Sequence, residues 1–325
     1  MRAIEITSLG GPEVLRLVER PEPTPGPGQV RVRHTAIGVN FIDTYHRTGL
    51  YALPSLPHGI GMEGAGTIDA VGDGVALEVG ARVAYVAGPP SSYADARLVA
   101  ADRTVELPDD IDDETAAASL LKGMTVEYLI RRTFPVERGM TVLFHAIAGG
   151  VGSLACQWLK DLGATIIGTT SSEAKAERAR ADGCDHVILY TRESVPERVR
   201  EITQGRGVPV VFDSVGKDTF LDSLDCLSRR GMLVGFGNAS GTPEPFDPML
   251  LARKGSLYYT RATLFDYVAE RDELLESARR LFDVLRRGAV RVHIGQRFDL
   301  ADASRCHEAL ESRKTTGSTL LVPQI

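Results

Sequence analysis

The stretch LFHAIAGGVGSLACQ, residues 143–157, decides the fold of this chain. The apolar run TVLF (141–144) leads into a turn of very small residues, and apolar positions then recur at helical spacing through LACQWLKDLG (154–163). Glycines in such a turn let a ligand approach the backbone N–H groups, and the positive end of the helix dipole favours an anion. The stretch therefore predicts a phosphate-binding turn between a strand and a helix.

Apolar strands and helical patterns continue to alternate on the C-terminal side of this turn. The helical patterns have the length that right-handed parallel crossovers need, which predicts a doubly wound parallel sheet. In such a sheet the first strand-to-helix turn is where a dinucleotide pyrophosphate binds, although Ala146 stands where the usual G-x-G-x-x-G pattern has its first glycine. The predicted strands are TVLFHA (141–146), TIIGTT (165–170), HVILY (186–190), PVVFDSV (209–215), MLVGFG (232–237) and SLYYTR (256–261).

The remainder of the chain predicts a β-rich domain. Residues 1 to about 120 alternate short β-rich runs with Gly/Pro turns, and helical spacing takes over in DDETAAASLLKGMTVEYLIRRT (112–133), where we place the domain boundary. After the sixth strand, DYVAERDELLESARRLFDVLRRG (266–288) predicts one long amphipathic helix. VHIGQRFDL (292–300) and STLLVP (318–323) then predict strands that pack back onto the first domain.

Composition and charge exclude several classes of protein. The 325 residues carry a net charge of −6, without a sequence-wide basic excess that would favour nucleic acid or an anionic membrane surface. No apolar stretch approaches the ~20 residues of a membrane span, and Met1 leads directly into a strand-like segment, so we expect a cytoplasmic protein. The widely spaced Cys156, Cys184, Cys226 and Cys306 predict buried or incidental thiols, and His34, His145 and His186 predict structural histidines.

The end of the second predicted strand selects between dinucleotides. An Asp or Glu there would bind the ribose 2′-hydroxyl of NAD and repel a 2′-phosphate. Here residues 169–172 supply uncharged hydroxyls, and Lys175 follows one helical turn later, where its charge suits a phosphate. Glu173 is interpreted as a first-turn helix residue that faces solvent. NADPH is therefore favoured over NADH, the alternative for Lys175 being an ordinary exposed lysine.

The chain resembles a known family over nearly its whole length. The motifs NFIDTYHRTGLY (40–51), GMEGAG (61–66), LKGMTVEYL (121–129), FHAIAGGVGSLACQW (144–158), FDSVG (212–216) and GFGNASG (235–241) have the order and spacing of the zeta-crystallin-like quinone oxidoreductases of the medium-chain dehydrogenase/reductase superfamily. The resemblance implies an α/β protein with a GroES-like β-rich catalytic domain (1–122 and 262–325) and a Rossmann doubly wound parallel sheet domain (123–261). It also implies NADPH as cofactor and a homodimer joined through the sheet edge near Ser256–Arg261.

Zinc is not expected. The zinc alcohol dehydrogenases of the same superfamily place a cysteine at the position of Asn40 and a histidine at the position of Met62, and neither replacement is an effective zinc ligand. The loop of four close-spaced cysteines that holds their structural zinc is absent from the sequence as well. We therefore predict that no metal takes part in the reaction.

The resemblance assigns site residues one by one. It implies that Asn40, Phe41, Asp43, Tyr45, Thr125 and Leu264 approach the nicotinamide end of the cofactor and that Gly149, Gly150 and Val151 hold its pyrophosphate. It further implies that Ser171, Lys175, Tyr190 and Arg313 surround the 2′-phosphate, and that Ser214, Phe236, Gly237, Asn238 and Ser240 lie at the carboxyl ends of the fourth and fifth strands. Plainer alternatives stay open for some of them: Asp43 as a turn or capping residue, Tyr190 as a core aromatic and Arg313 as a helix C-terminal cation.

The implied reaction is the reduction of a quinone or a related conjugated carbonyl compound. Tyr45 and Tyr51 are the predicted hydrogen-bond donors to the oxygen that gains electron density, with Asn40 orienting groups in the same pocket. An NADPH-dependent reductase of enals or enones shares the same cofactor features and is the first alternative. The second alternative, an AU-rich RNA-binding or crystallin-type protein, is disfavoured by the acidic net charge.

Overall fold

A computed structural model describes residues 1–312 and 315–323 of the chain. Its contacts divide these residues into two compact units. Unit 1 contains residues 1–122, 270–286 and the described residues from Val292 onward, and unit 2 contains residues 123–269 and 287–291.

The secondary structure comprises sixteen strands and ten α-helices in the part of the chain that is described. The strands are β1 (Arg2–Ile6), β2 (Arg16–Glu19), β3 (Gln29–Val39), β4 (His58–Gly59), β5 (Glu63–Val71), β6 (Arg82–Val86), β7 (Ala96–Ala100), β8 (Thr104–Glu106), β9 (Thr141–Phe144), β10 (Thr165–Thr170), β11 (His186–Leu189), β12 (Val208–Asp213), β13 (Leu227–Gly235), β14 (Tyr258–Arg261), β15 (Ile294–Asp299) and β16 (Ser318–Val322). The helices are α1 (Phe41–Thr48), α2 (Asp113–Tyr128), α3 (Gly150–Leu162), α4 (Glu173–Ala181), α5 (Val195–Ile202), α6 (Phe220–Cys226), α7 (Met249–Arg253), α8 (Leu264–Tyr267), α9 (Arg271–Arg286) and α10 (Ala303–Glu311).

Unit 2 is built on a six-stranded parallel sheet with the strand order β11-β10-β9-β12-β13-β14. All six strands that the sequence predicted are present, and the Rossmann doubly wound order is confirmed. Its central strands are runs of β-branched and aromatic residues buried on both faces, as crossover helices require. Because the strands are parallel, the turns that follow β9, β10 and β12 lie at the same edge of the sheet, and the strand order reverses there between β9 and β12.

Unit 1 is the β-rich part of the chain. Its larger sheet runs β15-β16-β3-β5-β6-β8, with β7 also paired to β3, and a small sheet has the order β2-β1-β4. The first part of β3 alternates buried and partly exposed side chains, as expected of a strand with one face on the core. The C-terminal strands return to this unit, since β16 pairs antiparallel with β3 at Leu320 and Gly38.

One helix predicted from the sequence is divided into two in the structure. The helix predicted over 266–288 is divided into α8 and α9, because Asp272 and Glu273 give α9 an N-terminal start of its own.

All four cysteines of the chain are free and buried. Within the described chain, no helix combines the length and apolar character needed to cross a membrane.

Candidate active site

The glycine-rich turn of unit 2 brings helix α3 very close to the end of β9. Ala146 has a left-handed backbone with φ of 52°, Gly149 caps α3, and the first helical bond runs from Ser153 N to Gly149 O at 2.8 Å. A Cβ added to Gly152 would lie 2.3 Å from Ala146 O, so only glycine permits this packing. The N–H groups of the first turn of α3 have no helical acceptor, which leaves them to an anion at this end.

A buried hydrogen-bonded chain holds this turn in place. The Oγ1 of Thr169 lies 3.3 Å from Ala146 N and 3.0 Å from His145 Nδ1, and His145 Nε2 lies 3.0 Å from Ser223 Oγ. The Ser223 hydroxyl donates to Asp213 Oδ2 at 3.0 Å, so it accepts from His145, whose proton is therefore on Nε2. Burial lowers the pKa of His145 and keeps the ring neutral. His145 is structural, as the sequence predicted, and it links the turns after β9, β10 and β12.

The ends of β10 and β11 present the groups predicted to meet the 2′-phosphate. Tyr190 N donates to Thr170 O at 3.2 Å, and the Tyr190 side chain is 41% exposed. Lys175 is half-buried in the first turn of α4. Glu173 is exposed and forms an ion pair with Arg180 at 2.8 Å, which agrees with its interpretation as a solvent-facing residue. The end of β10 thus carries hydroxyls and a lysine, and Ser171 lies in the same segment.

The loops after β12 and β13 pack backbone against backbone. A Cβ on Gly237 would lie 2.5 Å from Ser214 O, and Phe236 N donates to Asp213 O at 2.8 Å. The Ser240 hydroxyl donates to Val215 O at 2.9 Å, so it holds the loop. The other predicted residues of unit 2 are Asn238, 9% exposed, and the buried Thr125 and Leu264. Arg313 lies outside the described residues.

In unit 1, helix α1 carries the predicted substrate-side residues. Asn40 precedes the helix, and its backbone N–H donates to Asp43 Oδ2 at 2.8 Å, so Asp43 caps the helix. The Asn40 side-chain Nδ2 donates to Glu63 Oε2 at 2.8 Å, and Leu121 N donates to Glu63 Oε1 at 2.6 Å. Glu63 is fully buried and fixes the orientation of the Asn40 amide.

Asp43 also ends a second buried chain. Arg47 Nη1 donates to His307 Nδ1 at 3.0 Å, which places the His307 proton on Nε2, 3.0 Å from the Tyr93 hydroxyl. Tyr93 donates in turn to Asp43 Oδ2 at 2.9 Å, and Arg47 is held by Glu311. The second carboxylate oxygen of Asp43 has no hydrogen-bond partner among the described residues. Burial raises the pKa of Asp43 to about 7, outweighing the hydrogen bonds from Asn40 and Tyr93.

Aromatic rings of α1 and of Tyr51 pack against one another. Tyr45 and Tyr51 meet edge to face with ring centroids 5.2 Å apart, and Phe41 lies 6.4 Å from Tyr45. His46 contacts Tyr51 edge to face at 5.9 Å. Tyr45 is 8% exposed and Tyr51 is half-buried, so the two predicted tyrosines lie side by side and Tyr51 is the more accessible.

Comparisons with known proteins agree with both units. A family model described as alcohol dehydrogenase GroES-like domain matches residues 26–132, and one described as zinc-binding dehydrogenase matches residues 150–277. A quinone oxidoreductase of Pseudomonas aeruginosa is 51% identical over 323 residues, which is 99% of each chain. The chain belongs to the quinone oxidoreductase family. The crystal structure of Escherichia coli quinone oxidoreductase complexed with NADPH superposes with a TM-score of 0.98 at 47% identity, covering 99% of this chain and 100% of that one.

The family also contains a relative with a different name. A 2-haloacrylate reductase of a Burkholderia species is 44% identical over 329 residues, covering 99% of each chain. Among the described residues of this quinone oxidoreductase family member, no three His, Cys, Asp or Glu side chains come together as a group that could hold a metal ion. Asn40 and Met62, which stand where the zinc enzymes of the superfamily have ligands, are both buried.

Sequence reasoning missed three buried residues of the site in this family member. Tyr93 and His307 lie 214 positions apart and show no local pattern, so their pairing is visible only in the fold. Lys122 did have a signal, because it is the single charge in the apolar segment AAASLLKGM (116–124) of α2. Lys122 is 5% exposed and lies beside Glu63, whose raised pKa results chiefly from burial.

The raised pKa of Asp43 predicts a specific dependence of stability on pH. Between about pH 4 and pH 7 the folded protein keeps a proton on Asp43 that the unfolded chain has released, so the free energy of unfolding falls as pH rises through this range. The Asp43→Asn variant keeps an acceptor oxygen but does not titrate. Relative to it, we expect the wild type to lose up to about 1.4 kcal/mol per pH unit.

Urea denaturation of both proteins at a series of pH values measures this difference. Other buried titrating groups, such as Glu63 and His307, are common to the two proteins and cancel in the comparison. Parallel stability profiles across this range would show that Asp43 has its ordinary pKa.

Proposed function

We propose that this protein reduces quinones and related conjugated carbonyl compounds with NADPH. The observation that carries the proposal is the glycine-rich N-terminus of α3 beside a β10 that ends in hydroxyl residues without an acid, followed by Lys175 in the first turn of α4. Backbone N–H groups and a lysine suit the pyrophosphate and the 2′-phosphate of NADPH. The proposal is supported by a 51% identical relative named quinone oxidoreductase and by a structure of such an enzyme complexed with NADPH.

The residues of unit 2 fit this cofactor. The pyrophosphate binds the backbone of the Gly149–Val151 segment, where the missing Cβ of Gly152 lets α3 approach the turn. Ser171, Lys175 and Tyr190 bind the 2′-phosphate, and Arg313 is proposed to do the same. The other residues that we propose to contact the cofactor are Thr125, Ser214, Phe236, Gly237, Asn238, Ser240 and Leu264. When bound, NADPH supplies the hydride for the reduction.

Helix α1 of unit 1 supplies the residues that we propose to orient the substrate. Asn40 has its amide held by Glu63, so the side chain is oriented before a ligand binds. Tyr45 and Tyr51 present their rings to a planar acceptor, and a tyrosine hydroxyl donates to its oxygen. Phe41 and Asp43 are proposed to approach the nicotinamide end, with Asp43 acting through the backbone of Asn40 that it caps.

We propose in addition that the reaction needs no zinc and takes place in the cytoplasm. Asn40 donates its amide N–H to a carboxylate, and Met62 offers only a thioether, so neither side chain supplies the anionic or imidazole donor that zinc prefers. Four free, buried cysteines suit a reducing compartment.

The reduction of a carbon–carbon double bond is the second candidate activity. The 44% identity to a 2-haloacrylate reductase favours it, because that relative shares nearly the full length of the chain. RNA binding is not proposed, since the net charge is −6.

Initial rates test the proposal. They are measured with NADPH and with NADH as cofactor and with 1,4-benzoquinone, 9,10-phenanthrenequinone or an enone as acceptor. We expect the highest kcat/KM for a quinone with NADPH. Turnover of the enone alone would replace the quinone assignment by alkene reduction. A higher kcat/KM with NADH would contradict the proposed 2′-phosphate site.

The placement of the 2′-phosphate predicts the effect of Lys175→Ala. Loss of a charge-assisted contact costs roughly 1.5 to 3 kcal/mol, so the Kd of NADPH rises roughly 10- to 150-fold and that of NADH stays the same. Fluorescence titration of both cofactors measures the two constants. Lys160→Ala is the matched control, because Lys160 lies on α3 in an exposed ion pair with Asp185. An unchanged Kd of NADPH in Lys175→Ala would place the phosphate elsewhere.

We also propose that the protein is a homodimer joined along β14. This strand is the edge of the six-stranded sheet, and pairing with a symmetry copy would satisfy its free backbone groups. Tyr258 on β14 is 58% exposed. Tyr258→Lys places a positive charge on this edge, and we expect it to shift the mass in sedimentation analysis from dimer to monomer.

Leu221→Lys is the control for the dimer. Leu221 is equally exposed, but it lies on α6 rather than on the edge strand. Dimers of unchanged affinity in Tyr258→Lys would move the interface away from β14.

A further inference from the structure

A lysine ammonium group is buried in unit 1 next to the proposed substrate residues. Lys122 lies on α2 in a segment whose Ala117, Ala118, Leu120 and Met124 are fully buried, and Lys122 itself is only 5% exposed. Burying an ammonium ion costs several kcal/mol unless it is paired and hydrogen-bonded. The groups around Lys122 must therefore supply a counter-charge and hydrogen-bond acceptors.

The nearest charge does not satisfy this ammonium group. Lys122 Nζ lies 3.6 Å from Glu63 Oε2, which is an ion pair beyond hydrogen-bond distance, and it has no hydrogen-bond partner among the described residues. The two oxygens of Glu63 are already engaged, Oε1 by Leu121 N and Oε2 by the amide of Asn40. The N–H groups of Lys122 are thus left to donate to another oxygen.

The backbone around the pair is shaped to hold it. A Cβ on Gly38 of β3 would lie 2.3 Å from Glu63 Oε2 and 2.2 Å from Ala117 O. Only a glycine leaves room there for both the carboxylate and α2. The Glu63 carboxylate then holds two side chains at once, because the same Oε2 faces the amide of Asn40 and the ammonium of Lys122.

We propose that Lys122 is a catalytic residue whose ammonium group donates a hydrogen bond to the substrate oxygen that gains negative charge as hydride arrives. This inference rests on the proposed function and adds to it the group that stabilises charge. Asn40, assigned to the substrate side of the reaction, shares Glu63 with Lys122, so both polar groups are held by one carboxylate. A positive charge in a water-poor site stabilises an enolate or phenolate oxygen in the way a metal ion does in metal-dependent carbonyl chemistry.

The competing role for Lys122 is structural, as the counter-ion that neutralises Glu63. The two roles differ in what happens when both charges are removed. Glu63→Gln alone is the reference, because it changes the hold on Asn40 in the same way. If Lys122 only neutralises Glu63, the double variant Glu63→Gln/Lys122→Met turns over at least as fast as Glu63→Gln. If the ammonium group stabilises the transition state, the double variant is slower than Glu63→Gln although neither side chain carries an uncompensated buried charge.

Steady-state kinetics on four variants separate these roles. We expect Lys122→Met to lower kcat for a quinone by about 10²-fold, the usual loss for one donor to a developing oxyanion, with the Kd of NADPH from fluorescence titration unchanged. The double variant is expected to be slower than Glu63→Gln by a similar factor. Lys160→Met, which removes an exposed lysine of α3, serves as the control and keeps wild-type kcat.

A spectroscopic titration tests the same charge without turnover. 4-Nitrophenol has a phenolic oxygen like that of a hydroquinone product, and its phenolate form is coloured. In the wild type with NADP⁺ bound, we expect bound 4-nitrophenol to ionise at a lower pH than in the double variant, because the ammonium group stabilises the phenolate.

The outcomes distinguish this inference from the proposed function. A wild type that does not reduce quinones with NADPH overturns the proposed function itself. A wild type that does so, combined with full activity in Lys122→Met, equal kcat in the double variant and Glu63→Gln, or identical ionisation of bound 4-nitrophenol, overturns only the role of Lys122.

Discussion

The fully buried carboxylate of Glu63 is the constraint that positions Asn40, a residue proposed for the substrate side of unit 1, against helix α2. A buried carboxylate needs donors or a cation, and Glu63 obtains three such groups from two segments: the amide of Asn40 before α1, and the Leu121 backbone N–H and the Lys122 ammonium group on α2. Gly38 opens the space on β3 that the carboxylate occupies. Because one charge requires all of these contacts together, the start of α1 and the middle of α2 take fixed positions within this unit.

Unit 2 uses a buried carboxylate in a comparable way. Asp213 at the end of β12 accepts from Val215 N at 2.7 Å and from the hydroxyls of Thr219 and Ser223 at 2.7 and 3.0 Å. Ser223 passes the connection to His145, which lies beside the glycine-rich turn. The glycine-rich turn, which we propose binds the pyrophosphate, is thereby tied to β12, the neighbouring strand of the sheet. Rigid backbone donors bind an anion without the entropic cost of ordering a loop.

The sequence predicted the parts of this structure that have a local pattern. The six parallel strands of unit 2 could be predicted because unbroken β-branched runs alternate with helices, and the glycine-rich turn because small residues cluster between a strand and a helix. The break between α8 and α9 was missed, since apolar spacing continues through it and only Asp272 and Glu273 show a new start. Local rules therefore described unit 2 better than unit 1.

Contacts between distant segments had no sequence signal of this kind. Tyr93 and His307 form one hydrogen bond in a chain that ends at Asp43, and nothing near either residue indicates the other. The sequence assigned Asp43 a place near the cofactor, with capping as the plainer alternative. The structure gives it a buried capping position, where one oxygen lacks a partner. The pKa of Asp43 is raised because the folded chain buries its carboxyl group, and no local sequence pattern indicates that burial.

The residues proposed to orient the substrate belong to unit 1. Most of the features proposed for the cofactor, namely the turn before α3, the end of β10 and the loop at Gly237, belong to unit 2, whereas the residues of α1 proposed for the nicotinamide end belong to unit 1. Relatives that are 51% and 44% identical over the full chain are named for a quinone and for a 2-haloacrylate, so the shared fold does not determine the acceptor. What can differ is the surface that α1 presents. There Tyr51 is more accessible than Tyr45, so a substitution at Tyr51 disturbs the core less than one at Tyr45.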